Sequence, residues 1–215
     1  RGSVKWSTRA EPFRVVFTLF NGTKSELEAL FERCREQFGS KKIRKGDISL
    51  PEYTIELLKK EKKTVAAAES CTGGYIGKLL TDISGSSEVF WGTLVTYANE
   101  AKQNILGVSR NTLETYGAVS AETVREMASG VKKVSGADIA LSVSGIAGPE
   151  GGTPAKPVGT VFFGVAGEED VTAHEYRFFG SRDMIRRRAV VTGMLLIEEQ
   201  VLRKDTAQSD LTGIY

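Results

Sequence analysis

Residues 64–87 read TVAAAESCTGGYIGKLLTDISGSS, and this stretch decides the fold. Its short apolar run at 65–68 predicts a buried strand, and the apolar residues between 75 and 83 recur at helical spacing. The glycines and hydroxyl side chains between them, ESCTGG at 69–74, predict a tight turn into that helix. Because backbone N–H groups at a helix N-terminus attract anions, the turn either holds a phosphate or an oxyanion or simply caps the helix.

The rest of the chain continues this alternation of strands and helices. The pattern predicts an α/β protein with a mixed sheet covered by helices, in which residues 158–166 and 171–179 form a hairpin. Ser25 is the expected cap of the first helix, and Ser120 is the expected cap of a helix that reaches Val134. The other predicted strands are 12–19, 64–68, 89–97 and 138–144, and the predicted helices are 25–38, 51–63, 73–83, 99–106, 107–117, 120–134 and 183–202.

Composition narrows the classes of protein to consider. The 215 residues include 29 Lys and Arg against 27 Asp and Glu, a net charge of +2, which gives no general attraction to nucleic acid or to an anionic membrane. No apolar run approaches the roughly 18–20 residues that a membrane span needs. Two cysteines, Cys34 and Cys71, are too few for a disulfide framework, so we expect a cytoplasmic protein.

The chain has a single histidine, which argues against most hydrolase mechanisms. His174 stands in an alternating segment, VTAHEYRF at 171–178, that is typical of a surface strand. A Ser-His-Asp or Cys-His site would have to use this residue, and one histidine with two separated cysteines gives no recognisable zinc ligand set. We therefore expect neither a histidine base nor a bound metal.

A lysine can take the place of a histidine base. Three loops rich in glycine and serine, 70–74, 85–87 and 144–152, follow strands of the predicted sheet, where α/β proteins bind ligands. Lys102 opens the helix after the next strand, at the end of YANEAK (97–102). At an ordinary pKa of about 10.4 only roughly one lysine in 2,500 is neutral at pH 7, but burial can lower that pKa by several units. A serine–lysine dyad is then one interpretation, and a solvated helix lysine is the other.

The neighbours of this lysine leave several roles open. Tyr97 either relays a proton, orients the lysine or packs at the end of a strand. Cys71, at a predicted helix N-terminus, is a rival nucleophile without an evident base. Arg182 precedes a helix that carries three further arginines, and a guanidinium group suits contacts with phosphate.

Taken together, residues from about 50 to 202 resemble the C-terminal domain of the CinA (competence/damage-inducible) family, which is similar to nicotinamide-nucleotide amidase, also called NMN deamidase. Several multi-residue motifs in one order carry the resemblance. They are AESCTGG (68–74), GSS (85–87), VTYANEAK (95–102), GAVS (117–120), SGIAGP (144–149), KPVGTV (156–161) and SRD (181–183).

The resemblance implies a three-layer α/β/α sandwich, preceded here by a small α+β N-terminal segment. It implies hydrolysis of nicotinamide mononucleotide to nicotinate mononucleotide and ammonia, with no metal or cofactor, by a serine–lysine dyad. Carried onto this chain, it makes Ser87 the nucleophile, Lys102 the general base and Tyr97 an assisting group, with Ser70 as the other candidate nucleophile or a substrate contact. The substrate-binding residues that it implies are Thr72, Gly73, Ser144, Gly145 and Arg182, the last facing phosphate.

The same resemblance suggests how the chain is organised. We expect a partial KH-like segment at 1–48, the amidase domain at 49–204 and a tail at 205–215. Gly39–Lys42 lacks the second glycine of a KH loop, so no nucleic-acid partner is expected. The larger N-terminal domain of longer family members, associated with nucleotide pyrophosphatase activity, is expected to be missing from this sequence.

The expected partner is a pyridine nucleotide, and the expected assembly is a homo-oligomer, a dimer, with no membrane association. The alternative function is that of a non-catalytic nucleotide-binding module.

Overall fold

The computed structural model describes residues 4–11, 14–39 and 43–203, and it divides into two compact units between Tyr53 and Thr54. The predicted tail and residues 12, 13 and 40–42 lie outside the described residues. The strands are β1 (Lys5–Glu11), β2 (Arg14–Phe20), β3 (Val65–Glu69), β4 (Phe90–Val95), β5 (Ile139–Gly145), β6 (Thr160–Ala166) and β7 (Val171–Arg177). The α-helices are α1 (Lys24–Phe38), α2 (Leu50–Lys60), α3 (Tyr75–Thr81), α4 (Asn99–Leu106), α5 (Arg110–Tyr116), α6 (Ala121–Ser135) and α7 (Arg182–Leu202).

The first unit is an antiparallel hairpin of β1 and β2 followed by α1. The sequence pattern does not predict β1, and the expected cap at Ser25 is wrong. Thr23 caps α1 instead, because its side chain accepts a hydrogen bond from the Glu26 N–H while the Glu26 carboxylate accepts one from the Thr23 N–H. This reciprocal pair satisfies two backbone donors that a helix start leaves open.

The second unit is built on a five-stranded mixed sheet with the order β4-β3-β5-β6-β7. Strands β4, β3 and β5 run parallel, and β6 and β7 form the predicted antiparallel hairpin. Helices cover both faces, as predicted for an α/β fold: α3 and α7 pack on one face, and α4, α5 and α6 lie on the other. The carboxyl ends of β4, β3 and β5 therefore meet at one edge of the sheet.

Alternation along β3 sends neighbouring side chains into different layers. Ala66 and Ala68 belong to the core beneath α6. Because successive strand residues point to opposite faces, Glu69 points to the α3 side and Ser70, one residue beyond the strand, continues the row that faces α4 and α6. The contacts agree, since the Glu69 carboxylate accepts from the Gly77 N–H of α3.

Helix α6 forms where the sequence predicts it, with Ser120 as its cap and Gly136 at its end. Its buried face includes Met127 and Val131, which are fully enclosed against the sheet. Gly164 of β6 permits this close packing, because a Cβ atom there would lie 2.2 Å from the Val124 carbonyl oxygen. None of the helices in the described ranges is long and apolar enough to cross a membrane.

Candidate active site

A cavity of about 200 Å³ opens at the carboxyl edge of the parallel strands. Its wall combines the turn after β3, the segment that joins β4 to α4, the end of β5 and the start of α7. The residues that line it are Ser70, Cys71, Tyr97, Asn99, Lys102, Ala118, Val119, Ser144, Gly145, Ala147 and Arg182.

The central contact in this cavity joins a serine and a lysine. The Lys102 Nζ lies 3.1 Å from the Ser70 Oγ, 2.8 Å from the Thr96 carbonyl oxygen and 3.1 Å from the Tyr97 carbonyl oxygen. Lys102 is only 1% exposed and Ser70 is 8% exposed. In the part of the chain that the structure describes, no carboxylate forms an ion pair with Lys102.

The fold explains why this amine is buried. Lys102 stands in the first turn of α4, and α4 begins directly after β4 and packs against α6. Its side chain therefore runs back under the carboxyl end of the sheet rather than into solvent. Burial lowers the pKa of Lys102 from its ordinary value, because removal of water disfavours the ammonium form, and the neighbouring Cys71 opposes that shift.

Cys71 lies beside Ser70 and also lines the cavity. Burial raises the pKa of its thiol to about 12. Since the thiolate is the nucleophilic form, a thiol with this pKa is unreactive near neutral pH. The structure thus argues against Cys71 as the rival nucleophile.

The turn after β3 does not hold an external anion at the start of α3. The carboxylate of Glu69, which is fully buried, accepts hydrogen bonds from the N–H groups of Ile76 and Gly77, at 3.2 and 2.9 Å. It also accepts one from the Thr93 hydroxyl, at 3.1 Å. The chain's own carboxylate fills the place where the sequence pattern allowed a phosphate.

A second side chain reaches the same turn from α7. Arg186 donates from Nε to the Cys71 carbonyl oxygen, at 3.1 Å, and from Nη2 to the Thr72 carbonyl oxygen, at 2.7 Å. The sequence shows Arg186 only as one of several arginines in a helix, so nothing in the local pattern assigns this contact to it. Its guanidinium group spans two consecutive carbonyl groups directly after Ser70.

Arg182 stands one helical turn before Arg186 and lines the cavity. Its Nη1 donates to the Gly148 carbonyl oxygen, at 2.7 Å, and its Nη2 donates to the Tyr97 hydroxyl, at 3.1 Å. Tyr97 therefore meets the lysine through its main-chain carbonyl group and the arginine through its phenol.

Ser144 and Gly145, at the end of β5, also line the cavity. The Ser144 hydroxyl donates to the Ala118 carbonyl oxygen, at 2.6 Å, and so ties the end of the strand to the loop before α6. Gly145 has no space for a side chain, because a Cβ atom would lie 2.7 Å from a methyl carbon of Val161.

Ser87 does not lie in this cavity, so the expectation that it stands beside Lys102 is wrong. It belongs to a short 3₁₀ helix, Ser86–Glu88, that precedes β4, whereas Lys102 follows β4. The two positions are therefore at opposite ends of β4, whose 6 residues span roughly 17 Å at about 3.3 Å per residue. The predicted strand at 89–97 already separates Ser87 from Lys102; what the local pattern does not reveal is the parallel pairing of β3 with β4, which brings Ser70 to the end of the sheet where Lys102 lies.

Two more predicted residues lie near the cavity without lining it. Thr72 is fully buried, and its hydroxyl has no hydrogen-bond partner among the residues that the structure describes. Gly73 has a positive φ of 61° and shapes the turn rather than the cavity. Sequence reasoning missed Asn99 and Val119 as lining residues, although both belong to motifs that it singled out, YANEAK and GAVS.

In the ranges 4–11, 14–39 and 43–203, no three His, Cys, Asp or Glu side chains lie in an arrangement that could hold a metal ion.

The fold and the cavity define an α/β domain that pairs a buried lysine with a serine at the carboxyl edge of its sheet. A family model, the CinA C-terminal domain, matches residues 47–201, and the chain belongs to the CinA family.

Two curated relatives show how much of a longer protein this chain matches. A CinA-like protein of Thermotoga maritima is 45% identical over 184 residues, which cover 86% of this chain and 45% of that protein. A putative competence-damage inducible protein of a Thermoanaerobacter species is 46% identical over 176 residues, covering 82% and 43%. The chain thus spans less than half the length of these relatives.

Solved structures agree with the fold. The competence/damage inducible protein CihA of Agrobacterium tumefaciens superposes with a TM-score of 0.67 at 42% identity, covering 70% of this chain and 94% of that one. The competence damage-inducible protein A (ComA) of Klebsiella pneumoniae gives a TM-score of 0.69 at 34% identity, covering 73% and 99%.

Proposed function

We propose that the chain hydrolyses the carboxamide of nicotinamide mononucleotide to give nicotinate mononucleotide and ammonia. The observation that carries the proposal is the contact between the Lys102 Nζ and the Ser70 Oγ inside a solvent-accessible cavity. This revises the nucleophile expected from the resemblance, from Ser87 to Ser70, and keeps Lys102 as the base. We assign the activity to the predicted amidase domain, residues 49–204, of a cytoplasmic protein.

The hydrogen bonds of the amine are compatible with its role as a base. The carbonyl oxygens of Thr96 and Tyr97 can only accept hydrogen bonds, and a neutral amine has two N–H groups to give them. In that neutral form the remaining lone pair faces the Ser70 Oγ, 3.1 Å away, and can accept the proton of the serine hydroxyl. In this state Lys102 is oriented to remove the Ser70 proton as Ser70 attacks.

The burial of Lys102 supports the same role. A base must be unprotonated at the working pH, and desolvation lowers the pKa of this lysine toward that pH. No carboxylate of the described residues offsets the effect by pairing with the ammonium group. A serine nucleophile activated by such a lysine needs no histidine.

The proposed reaction proceeds in two halves. The Ser70 Oγ attacks the carboxamide carbon while Lys102 takes the hydroxyl proton and passes it to the departing nitrogen, which leaves as ammonia. Water then attacks the resulting ester, Lys102 takes a proton from it, and that proton returns to the Ser70 Oγ as nicotinate mononucleotide departs. One water is consumed and one ammonia is released, so atoms and protons balance.

Arg182 suits the phosphate end of the substrate. Its guanidinium group has five N–H donors, and its contacts with Gly148 and Tyr97 occupy only part of them. The remaining donors can bind phosphate oxygens at the mouth of the cavity while the pyridine ring enters toward Ser70. Ser144 and Gly145 line the wall that the ring would contact.

The direct experiment is to incubate the pure protein with nicotinamide mononucleotide and measure ammonia and nicotinate mononucleotide, with and without a chelator. The proposal requires equal molar release of both products in either condition and none from Ser70→Ala. Unchanged substrate, together with a rise in melting temperature when the nucleotide is added, would instead indicate the alternative function, a nucleotide-binding module without catalysis.

A further inference from the structure

Glu69 is a fully buried carboxylate that the proposed reaction does not use, and it stands directly before Ser70. Three donors surround it: the N–H groups of Ile76 and Gly77 and the Thr93 hydroxyl. A buried charge costs several kcal/mol unless such partners compensate it. A carboxylate in this place ties the last residue of β3 to both α3 and β4.

Arg186 holds the other side of the same serine. Its Nε and Nη2 bind the carbonyl oxygens of Cys71 and Thr72, and it reaches them from α7, far away in sequence. A guanidinium group can bind two neighbouring carbonyl oxygens with two donors on one edge, whereas a lysine ammonium is a single point. The residue before Ser70 is thus held through its own carboxylate, and the two residues after it are held by a guanidinium group from α7.

The main chain of Ser70 is fixed as well. Its N–H donates to the Val143 carbonyl oxygen, at 3.0 Å, and its carbonyl oxygen accepts from the Gly73 N–H, at 3.0 Å. With its backbone held, the position of its Oγ depends on one side-chain rotation only. The contact with Lys102, at 3.1 Å, needs that position.

We infer that Glu69 and Arg186 are positioning residues, a pair of charged side chains that clamp the turn carrying Ser70 and hold its hydroxyl at Lys102. Neither side chain lines the cavity, so neither contacts the substrate. The inference rests on the proposed role of Ser70 as nucleophile. Its consequence is that loss of the clamp slows the chemical step and leaves substrate binding by Arg182 unchanged.

The test uses Arg186→Gln, with Arg187→Gln as its matched control. Arg187 is the next residue of α7, and its exposed side chain pairs with Asp183 instead of the turn. Because a displacement of about 1 Å can cost about 100-fold in rate, we expect kcat of Arg186→Gln to fall between about tenfold and 100-fold, with KM within about twofold. Arg187→Gln keeps both values.

Two further readouts separate positioning from a general structural effect. Guanidinium ion added to Arg186→Ala should restore part of kcat, and the pH dependence of the residual activity should keep its midpoint, because Lys102 is untouched. Glu69→Gln, which replaces one acceptor oxygen by a donor, should lower kcat in the same way and also lower the melting temperature. An unchanged kcat in Arg186→Gln, or a loss confined to KM, would overturn the inference.

A substrate-independent measurement separates this inference from the proposed function. The rate at which a small fluorophosphonate labels Ser70 should fall at least about tenfold in Arg186→Gln and stay unchanged in Arg187→Gln. If Ser70 of the wild type is labelled but the protein releases no ammonia, the proposed substrate is wrong and the inferred clamp is unaffected. Equal labelling rates in the two variants would refute the clamp, whatever the substrate is.

Discussion

Two glycine- and serine-rich turns of this chain look alike in sequence and differ in the structure. The turn at 70–74 follows β3 and brings Ser70 against Lys102, an amine that is 1% exposed. The turn at 85–87 precedes β4, and its nearest lysine, Lys59, forms an ion pair with Glu88 at 2.8 Å, partly exposed to solvent. Each turn has a serine and a lysine close by. Among the described residues, the lysine at the first turn is buried and has no carboxylate partner, whereas the lysine at the second turn is paired with Glu88.

The difference teaches that the position of a turn in the sheet, rather than its residue types, decides whether the lysine beside it is buried. At the carboxyl edge, Lys102 is 1% exposed and its amine contacts Ser70 and two main-chain carbonyl oxygens, so the amine has lost most of its solvation. At the opposite edge, Lys59 is partly exposed to water and is paired with the carboxylate of Glu88, as in an ordinary surface ion pair.

The largest expected effect comes from removing Ser70, and Ser87 at the other turn provides the matched control. Ser70→Ala should lower kcat for ammonia release by at least about 10³-fold, because the nucleophile is lost. Ser87→Ala should leave the rate unchanged, since Ser87 is exposed at the far end of β4. Full activity of Ser70→Ala, or a comparable loss in Ser87→Ala, would reverse the comparison between the two turns.

A similar loss is expected from the lysine. Lys102→Met keeps most of the side-chain length but removes the base, so the rate should fall between about 10²- and 10⁴-fold. Lys59→Met is the matched control at the other turn and should change the rate less than about twofold, because its ion pair with Glu88 is a surface contact. The measurement is the steady-state rate of ammonia release by the two variants, compared at the same pH.

The pH dependence should report the buried amine. Burial lowers the pKa of Lys102, and only its neutral form accepts a proton, so kcat/KM should rise about tenfold per pH unit and level off above that pKa. The midpoint should fall below the ordinary lysine value of about 10.4. A profile that rises only near that value would mean that the amine is solvated, and one that falls with increasing pH would contradict its role as a base.

A smaller loss is expected at the mouth of the cavity. Arg182→Gln should lower kcat/KM between about tenfold and 100-fold, mainly through KM, because a charged hydrogen bond contributes roughly 1.5–3 kcal/mol. Nicotinamide riboside, which lacks the phosphate, should react equally with the wild type and the variant. A loss of the same size on both substrates would show that Arg182 does not bind phosphate.

The smallest expected effect concerns Tyr97. Tyr97→Phe removes the hydroxyl that accepts from Arg182 but keeps the carbonyl oxygen that accepts from Lys102. KM should therefore rise a few-fold with kcat nearly unchanged, in contrast to Lys102→Met. A large fall in kcat would show instead that the phenol takes part in proton transfer.

The sequence predicted well what short-range periodicity determines. The strand–turn–helix at 64–87, the helix capped by Ser120 and the late hairpin all occur in the structure, because apolar spacing and caps act within a few residues. The cap of α1 was misplaced, since two hydroxyl residues, Thr23 and Ser25, stand close together and only the contact with Glu26 distinguishes them.

The site was predictable only in part, for a different physical reason. The residue types Ser70, Lys102 and Arg182 follow from the motifs, but their distances depend on which strands pair and in which direction. Parallel pairing of β3 with β4 brings Ser70 to the end of the sheet where Lys102 lies. The contact of Arg186 with the Cys71 carbonyl oxygen joins residues 115 positions apart, so no local pattern predicts it. Sequence patterns therefore indicate the candidate residues, and the strand order and direction of the sheet determine which of them lie together.

The most direct measurement of the central claim is to map, by peptide mass spectrometry, the serine that a small fluorophosphonate modifies in the wild type and in Lys102→Met. We expect the label on Ser70 in the wild type and a labelling rate at least about 100-fold lower in the variant. A label on Ser87, or labelling of Ser70 that is undiminished without the amine, would contradict the account.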